Sequence, residues 1–296
     1  MKWFYPILSF FLILFLTGCS LYGNQNGLKK EYYETGQLRA EIPYNNGRIH
    51  GIKKEFYING NLKVVNTFHN GRLEGTMMTY FEDTTLQGEY QFKNGRQNGP
   101  AKEYHENGKL EREAYFRDDL ANGPIRTYHE NGQLKGEAYA KEGQLDGIIR
   151  EYYDNGGEKS HIYVRAGKRE GPAKEFYLNG QVSRELTYQN DKVNGEITTY
   201  YENGALKGKA NSVDDRFEGI VEEYYPEGTI KSQYTYRHGR RNGLSQEFYK
   251  NQHVKNILSF KDDELDGVAK FFNSKGELKL EEVFKKGKRI SQKEYP

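Results

Sequence analysis

The sequence of 296 residues contains one cysteine and no long block of a single charge sign. A single cysteine excludes an intramolecular disulfide and a cysteine-based metal cluster. Lys and Arg number 44 against 42 Asp and Glu, and the two signs are interleaved along the chain. The basic stripe typical of nucleic-acid-binding proteins is therefore absent, and we expect no nucleic-acid partner.

Apolar residues are also scarce, at 35% of the chain, whereas 25 Tyr and 16 Phe make aromatic residues abundant. Disordered chains combine few aromatic residues with a large net charge, and the net charge here is only +2. We therefore expect a folded protein in which aromatic side chains supply most of the buried area.

The N-terminus has the pattern of an export signal. Lys2 precedes an apolar run from Phe4 to Leu16, which is shorter than the roughly 20 residues that a membrane-spanning helix needs. A basic start, a short apolar segment and a region of small residues are typical of a secretory signal. Cleavage by the ordinary signal peptidase, or retention of the segment as an anchor, is the alternative interpretation.

The sequence Leu16-Thr17-Gly18-Cys19 resembles the lipobox of bacterial lipoproteins. The resemblance implies that residues 1–18 are removed as a signal peptide and that Cys19 becomes lipidated at the new N-terminus. Two or three acyl chains suffice for stable membrane anchoring. Ser20, in place of the Asp that holds such proteins at the inner membrane, implies the outer membrane if the source has one. Residues 19–26 would then be a short tether.

A glycine recurs at a constant step of 24 residues after the tether, so residues 27–296 contain eleven copies of one unit. These glycines are Gly27, Gly51, Gly75, Gly99, Gly123, Gly147, Gly171, Gly195, Gly219, Gly243 and Gly267. We call this glycine position 0 of each repeat and count the other positions from it. A fixed period of this size predicts a repeat architecture in which each unit contacts its neighbours and no central core forms.

Each repeat combines aromatic residues with glycine turns. Position 5 is aromatic in every copy, and position 6 is Tyr in Tyr33, Tyr57, Tyr153, Tyr177, Tyr201, Tyr225 and Tyr249. A turn glycine follows at position 9 in Gly36, Gly60, Gly108, Gly132, Gly156, Gly180 and Gly204, often after Asn. A second turn closes at position 20 on Gly or Asp. Short aromatic-rich runs between such turns predict β-hairpins.

The residues that a turn places opposite one another indicate the length of the first loop. A three-residue loop at positions 7–9 pairs position 5 with position 11 and position 4 with position 12, as in Glu31–Arg39, Glu55–Lys63, Glu151–Lys159, Glu223–Lys231 and Glu247–Lys255. A two-residue loop would instead pair some bases at position 3 with acids at position 14. The three-residue loop is favoured because it places positions 5, 11, 15 and 17 on one apolar face.

The predicted fold is therefore all-β: an elongated single-layer antiparallel array of about 22 strands. A charged lattice is expected on the face opposite the aromatic one. Residues 289–296 lack a closing glycine, and we expect them to cap the edge of the sheet.

The pattern Tyr-Tyr-x-Asn-Gly-x-Leu, repeated in phase through the mature chain, resembles the variant MORN repeat of bacteria, in the form found in YwqK-type antitoxin proteins. The resemblance implies a twisted sheet of hairpins that contacts other molecules. Some copies depart from the pattern, at Asp83-Thr84, at Gly157-Glu158, at Ser212 and at Asn251-Gln252. These departures mark candidate local sites.

No arrangement of residues predicts catalysis, and no cofactor or metal is expected. His105 and His129 share position 6, but a histidine pair without a placed carboxylate or cysteine is weak evidence for a metal. The sequence favours a membrane-anchored, non-catalytic scaffold for a protein partner, with an antitoxin or immunity role as one version. The alternative is an envelope glycan-binding protein in which the position-6 tyrosines stack on sugars. The oligomeric state stays open.

Overall fold

A computed structural model describes residues 25–296 of the chain. The predicted signal peptide, Cys19 and most of the predicted tether lie outside these described residues. The chain divides into two compact units at Gly156 and Gly157, and each unit is described by itself.

The described part of the first unit, residues 25–156, contains fourteen strands. They are β1 Gly27–Tyr32, β2 Leu38–Asn45, β3 Arg48–Ile49, β4 Gly51–Phe56, β5 Leu62–His69, β6 Arg72–Leu73, β7 Gly75–Tyr80, β8 Leu86–Lys93, β9 Arg96–Tyr104, β10 Leu110–Arg117, β11 Leu120–Tyr128, β12 Leu134–Lys141, β13 Gln144–Leu145 and β14 Gly147–Tyr152. Consecutive arms of the meander pair antiparallel, as β1 does with β2. β2 pairs in turn with both β3 and β4, which are two pieces of one interrupted strand.

The second unit, residues 157–296, contains fifteen strands in the same antiparallel meander. They are β15 Glu158–Arg165, β16 Lys168–Phe176, β17 Val182–Gln189, β18 Lys192–Val193, β19 Gly195–Tyr200, β20 Leu206–Val213, β21 Arg216–Phe217, β22 Gly219–Tyr224, β23 Ile230–Arg237, β24 Arg240–Phe248, β25 Val254–Lys261, β26 Glu264–Leu265, β27 Gly267–Phe272, β28 Leu278–Lys285 and β29 Lys288–Glu294. β29 pairs with β28 and is exposed along its whole length.

The all-β fold of antiparallel hairpin repeats that the sequence predicts is confirmed. The strand number differs from the expected 22 for two reasons. The strand that enters a repeat is interrupted at position 23 in six places, which separates two-residue pieces such as β3 and β6. The C-terminal residues then add β29 beyond the two strands of the last repeat.

The first hairpin of each repeat has the expected three-residue loop but a different register. In the first repeat the Tyr33 N–H donates to the Gln37 carbonyl at 2.8 Å, and Tyr32 pairs with Leu38, as predicted. Glu31, however, pairs with Ala40 at position 13, because the return strand carries one extra residue at position 12. The predicted pairing of position 4 with position 12 is therefore wrong, and a β-bulge is the reason.

This bulge also corrects the predicted faces of the sheet. Because side chains alternate along a strand, one inserted residue moves positions 5 and 11 to the face opposite positions 13, 15 and 17. The bulge also allows position 5 to pair with position 11 while position 3 pairs with position 14, as Lys30 does with Glu41. The two registers that the sequence offers as alternatives thus coexist in one hairpin.

The second hairpin turns on two residues that both have positive φ, such as Asn46 at 48° and Gly47 at 74°. This is the geometry of a type I′ turn. Two extra residues on the outgoing strand follow, at positions 23 and 0, before regular pairing resumes. The position-0 glycine takes positive φ there, and at Gly99 a Cβ would lie only 3.0 Å from the Gln91 Cβ. A larger residue fits neither the backbone conformation nor the space.

The buried face is formed mainly by positions 2, 13, 15, 17 and 22, and most of its fully buried residues are aliphatic or small. Ala101, Ala114 and Ala140 have no exposed surface, and Ile125 is 1% exposed. Phe116 and Tyr188 are the aromatic residues among the buried hydrophobic side chains of the described chain. The expectation that aromatic residues form the buried face is therefore only partly right. Position 17 is aromatic in most copies and belongs to this face, but the position-5 aromatic residues lie on the opposite face.

Candidate binding surface

The position-6 tyrosines connect each repeat to the next. The hydroxyl group donates a hydrogen bond to the carbonyl oxygen of position 5 in the following repeat, over 2.7–2.9 Å, in Tyr33, Tyr57, Tyr177, Tyr201, Tyr225 and Tyr249. All seven side chains, including that of Tyr153, are half-buried. We call this series the tyrosine ladder. Its hydroxyl groups are engaged within the array, and contact of its rings with a glycan stays a prediction.

His105 and His129 replace tyrosine in this ladder and take over its role. The Nε2 atom of each ring lies 3.1 Å from a position-5 carbonyl oxygen, that of Tyr128 for His105 and that of Tyr152 for His129. Each ring nitrogen can donate to this acceptor, so the shared position is explained by inter-repeat bonding. Residues 25–296 contain no group of three or more His, Cys, Asp or Glu placed to hold a metal ion.

The asparagine at position 8 links the first turns in the same way. In Asn179, the side-chain oxygen accepts the N–H of Gln181 at 2.9 Å, and the side-chain amide donates to the Glu202 carbonyl of the next repeat at 2.8 Å. Asn107, Asn131, Asn59 and Asn251 make the same two bonds. The Asn-Gly pair therefore shapes its own turn and holds the neighbouring one.

The glycines at position 9 have the positive φ values that this turn requires, from 78° to 93° for Gly36, Gly60, Gly108, Gly132, Gly156, Gly180 and Gly204. Thr84 and Gln252 occupy the same position in two departing copies and adopt φ of 77° and 66°. A side chain costs about 1–2 kcal/mol in this region, so these two turns are strained.

A second set of hydrogen bonds between repeats joins the position-20 turns. The sequence analysis did not predict the side chains that form them. The N–H of position 19 donates to a side chain at position 23 of the preceding repeat, as Asn94 does to Glu74 and His238 to Glu218, both at 2.7 Å. The residue that precedes each position-0 glycine, from Asn26 to Asp266, is Asn, Asp, Glu or His in all eleven places. That uniform run of acceptors is the signal that predicts these links.

Aspartate at position 20 does more than tolerate positive φ. Asp119, Asp191, Asp215 and Asp263 have φ between 67° and 70°. Each carboxylate also accepts the N–H of position 22 in the preceding repeat, as Asp119 accepts that of Gln97 at 2.7 Å. Glycine and aspartate at position 20 both donate their backbone N–H to the position-22 carbonyl of the preceding repeat, as Gly71 does to Ile49 at 2.7 Å, and aspartate adds a second bond through its side chain.

The face opposite the buried one, which we call the outer face, carries a lattice of ion pairs. Bases at position 3 pair with acids at position 14, as in Arg126–Glu113 at 3.1 Å and Lys174–Glu185 at 2.7 Å. The position-5 hydroxyls of Tyr128, Tyr152 and Tyr200 donate to the same acids. Of the ion pairs predicted between positions 4 and 12, Glu31–Arg39, Glu223–Lys231 and Glu247–Lys255 are present, whereas Glu55 pairs with Lys53.

Exposed apolar side chains form a row on this outer face, at positions 1 and 16. In the first unit the row contains Leu28, Ile52, Tyr115, Tyr139 and Ile148, and in the second unit it contains Ile220, Leu244 and Val268. Leu244 and Ile220 are each 58% exposed, and Tyr139 is 50% exposed. Positions 1 and 16 lie directly opposite one another in the register, as Pro124 and Tyr139 do. We call these residues the outer row.

Part of the chain matches a known repeat family. The profile of the MORN repeat variant matches residues 25–46, 97–118, 121–142, 169–190, 193–214 and 217–238. Six of the eleven repeats therefore match the MORN repeat variant. The matched segments begin just before, or within, the strand that opens a hairpin, so the family pattern follows the same periodicity as the structure. No curated protein sequence matches the chain.

Among solved structures, the chain is similar to parts of much longer proteins. The crystal structure of TcdB2-TccC3-Cdc42 matches with 12% identity and a TM-score of 0.19, over 87% of this chain and 17% of that one. A structure of the Photorhabdus luminescens Tc holotoxin pore matches with 11% identity and a TM-score of 0.18, over 87% and 17%. The chain thus spans about a sixth of the length of the proteins it matches. Residues 25–296 contain no helix long and apolar enough to cross a membrane.

Proposed function

We propose that this protein is a lipid-anchored, non-catalytic scaffold of the cell envelope, and that its outer row contacts a protein partner. The outer row carries the proposal. Isolated exposed apolar residues are ordinary, but contiguous apolar surface bordered by polar residues marks interaction sites. Here large exposed apolar side chains recur at one register position in eight of the eleven repeats and are bordered by the ion pairs of positions 3 and 14.

The chemistry of the outer row favours a protein over a sugar as the partner. Leu28, Ile52, Ile220 and Leu244 are aliphatic and offer no hydrogen bonds, whereas the hydroxyls of six ladder tyrosines already bond the next repeat. Aromatic and aliphatic side chains surrounded by a charged rim resemble the composition of protein interfaces. The partner that fits this surface presents an apolar segment flanked by charges of both signs.

The contact is tested by photocrosslinking in the native cells. A photoreactive amino acid replaces Leu244 in the outer row, and the exposed turn residue Lys275 serves as the matched control position. We expect one discrete crosslinked protein from position 244 and none from position 275. The same pattern of adducts from both positions, or no adduct from position 244, would refute the proposed contact surface.

The membrane anchor is tested separately through Cys19. We expect labelled fatty acid to enter the wild-type protein and not Cys19→Ala, with the variant released from the membrane fraction. Labelled Cys19→Ala protein, or an unlabelled wild type, contradicts the anchor. A toxin as the partner is the finer version of the proposal, supported by the resemblance of the repeat to YwqK-type arrays. Its test is whether expression of this chain protects cells from the crosslinked partner.

A further inference from the structure

A cleft of about 350 Å³ opens in the second unit, around the repeat that begins at Gly195. Its apolar part is formed by Ile197, Ala210, Phe217 and Val221, and polar groups reach it from Thr199 and Glu223. Its volume lies at the lower end of the range of about 300–1,000 Å³ for small-molecule sites. This repeat is one of the departing copies, because Ser212 stands where most repeats have an aromatic residue.

The repeat that begins at Gly75 shows which chemical group fits a cleft of this kind. In the repeat that begins at Gly75, the ring of Tyr90 lies on Gly88, where a Cβ would come within 2.5 Å of the tyrosine oxygen. The Tyr90 hydroxyl donates to Glu103 of the following repeat at 3.3 Å. Burial, together with the adjacent Glu103 carboxylate, raises the pKa of Tyr90. A phenol ring is thus enclosed between a glycine and a carboxylate.

The cleft has the residues that surround the Tyr90 ring but has no tyrosine ring between them. Thr199, Gly208 and Glu223 occupy the positions of Thr79, Gly88 and Glu103, but position 15 is Ala210 where the other repeat has tyrosine. The alanines at position 15 in other repeats, Ala114 and Ala138, are 0% and 7% exposed. Ala210 is instead half-exposed and lines the cleft. The space that a tyrosine ring fills in one repeat is open in this one.

The repeat that begins at Gly219 also has a tyrosine whose hydroxyl bonds a glutamate, so this contact is not peculiar to Tyr90. Tyr234, also at position 15, follows the small residue Ser232 and donates its hydroxyl to Glu247 at 3.3 Å. Two tyrosines, one in each unit, therefore bond a glutamate at position 4 of the following repeat. Glu223 is the glutamate of this kind that borders the cleft.

Glu223 is held in place to receive such a hydroxyl. Lys231 and the Ser232 hydroxyl both donate to its Oε2 atom, each at 3.1 Å. No hydrogen bond from the described part of the chain reaches its Oε1 atom. A carboxylate oxygen without a donor is the acceptor that a phenol hydroxyl needs.

The charges around the cleft specify a second group on the ligand. Arg184, Lys207 and Lys231 line it together with the Glu223 carboxylate, a balance of three positive charges to one negative, whereas Lys209 and Glu222 occupy the outer-face positions 14 and 3. The Arg184 Nη1 atom lies 4.0 Å from a Glu175 carboxylate oxygen, but its Nε atom is buried and has no hydrogen-bond partner within residues 25–296. Arginine binds carboxylates through several N–H groups at once, so an anionic group on the ligand fits beside it.

We propose that this cleft binds a para-substituted phenol whose substituent carries a carboxylate. The phenol ring lies over Gly208 and Ala210, its hydroxyl donates to Glu223, and its carboxylate meets Arg184 and the neighbouring lysines. A tyrosine side chain in an acidic peptide and a free phenolic acid share this chemistry. The inference does not depend on the outer row or on a protein partner, since a small phenolic acid tests it directly.

The test is calorimetric titration of the protein with p-hydroxyphenylpropionate. We expect saturable binding, about ten-fold weaker with phenylpropionate, which lacks the hydroxyl, and with p-cresol, which lacks the carboxylate. An acetylated Tyr-Glu peptide and its Phe-Glu counterpart distinguish a peptide from a free phenolic acid as the natural ligand. No binding of the phenolic acid, or equal binding of the three small molecules, overturns the proposal.

Two matched variants exchange the position-15 residues of the two repeats. Ala210→Tyr supplies the missing ring and should abolish binding while keeping the protein folded, because the frame already accommodates this ring at Tyr90. Tyr90→Ala removes that ring and should add a second phenol site in the first unit, as engineered apolar cavities bind small aromatic molecules. Glu223→Gln retains the fold and should weaken the binding of the phenolic acid but not the binding of phenylpropionate. Unchanged binding in Ala210→Tyr, or equal losses of both ligands in Glu223→Gln, refutes the assignment.

Discussion

Substitution of Tyr57 by phenylalanine isolates the contribution of one rung of the tyrosine ladder. The Tyr57 hydroxyl donates to the Tyr80 carbonyl oxygen at 2.8 Å, and its half-buried ring lies 5.2 Å from the Lys63 Nζ atom. Phenylalanine keeps the ring and this cation–π contact and removes only the hydrogen bond. A neutral hydrogen bond contributes about 0.5–1.5 kcal/mol, so we expect Tyr57→Phe to lower the free energy of unfolding by about 1 kcal/mol.

The matched control is Tyr139→Phe in the same unit. Tyr139 belongs to the outer row, is 50% exposed, and makes no hydrogen bond through its hydroxyl within the described residues. Removing that hydroxyl leaves no buried group unsatisfied, so we expect a change within about 0.5 kcal/mol. The two variants therefore differ in the inter-repeat bond and not in the chemistry of the substitution.

Amide hydrogen exchange is the suitable measurement, because repeat arrays open locally and need not unfold in one step. We expect Tyr57→Phe to accelerate exchange in the strands that meet at this rung, β4 and β7, and Tyr139→Phe to leave exchange unchanged. Equal effects of the two substitutions would refute the structural role of the ladder. Because phenylalanine keeps the ring, binding to cell-wall glycan that is lost in Tyr57→Ala but retained in Tyr57→Phe would favour the sugar-stacking alternative.

Three further predictions concern the turns and the tyrosines. Thr84→Gly should raise the thermal unfolding temperature by relieving a positive φ that costs about 1 kcal/mol. Glu74→Ala should lower stability by about 1–2 kcal/mol in urea unfolding, because the Asn94 N–H loses its acceptor. The Glu222 carboxylate and burial raise the pKa of Tyr224 to about 12. The unfolded phenol ionises first, so stability should fall as pH rises from about 10 to 12, and less so in Tyr224→Phe.

The repeat period and the turns were predictable because their physics is local. A residue with positive φ must be Gly, Asn or Asp in most copies, so positions 9 and 20 are readable from the sequence. Position 19 is harder to read, since Glu142, Ala166 and Lys286 all take positive φ there. Pairing between strands outweighs the local cost at those residues.

The register of the first hairpin was not predictable from pairing rules alone. Charges at positions 4 and 12 favour one register, and those at positions 3 and 14 favour another. A bulge satisfies both, as Arg39 reaches Glu31 at 2.6 Å while Lys30 reaches Glu41 at 3.3 Å. Pairing rules that assume regular strands treat these as exclusive alternatives, and the bulge decides which side chains are buried.

A side chain that bonds the next repeat is also unsuited to bind a ligand, because the ligand must replace that bond. The Tyr-x-Asn-Gly motif is engaged in this way almost throughout, so its repetition explains the stability of the array and not its specificity. Recognition is then expected where a repeat lacks the usual filling group. Ala210 is such a place: its frame retains the glycine and the carboxylate that hold a tyrosine ring elsewhere, and the ring itself must come from another molecule.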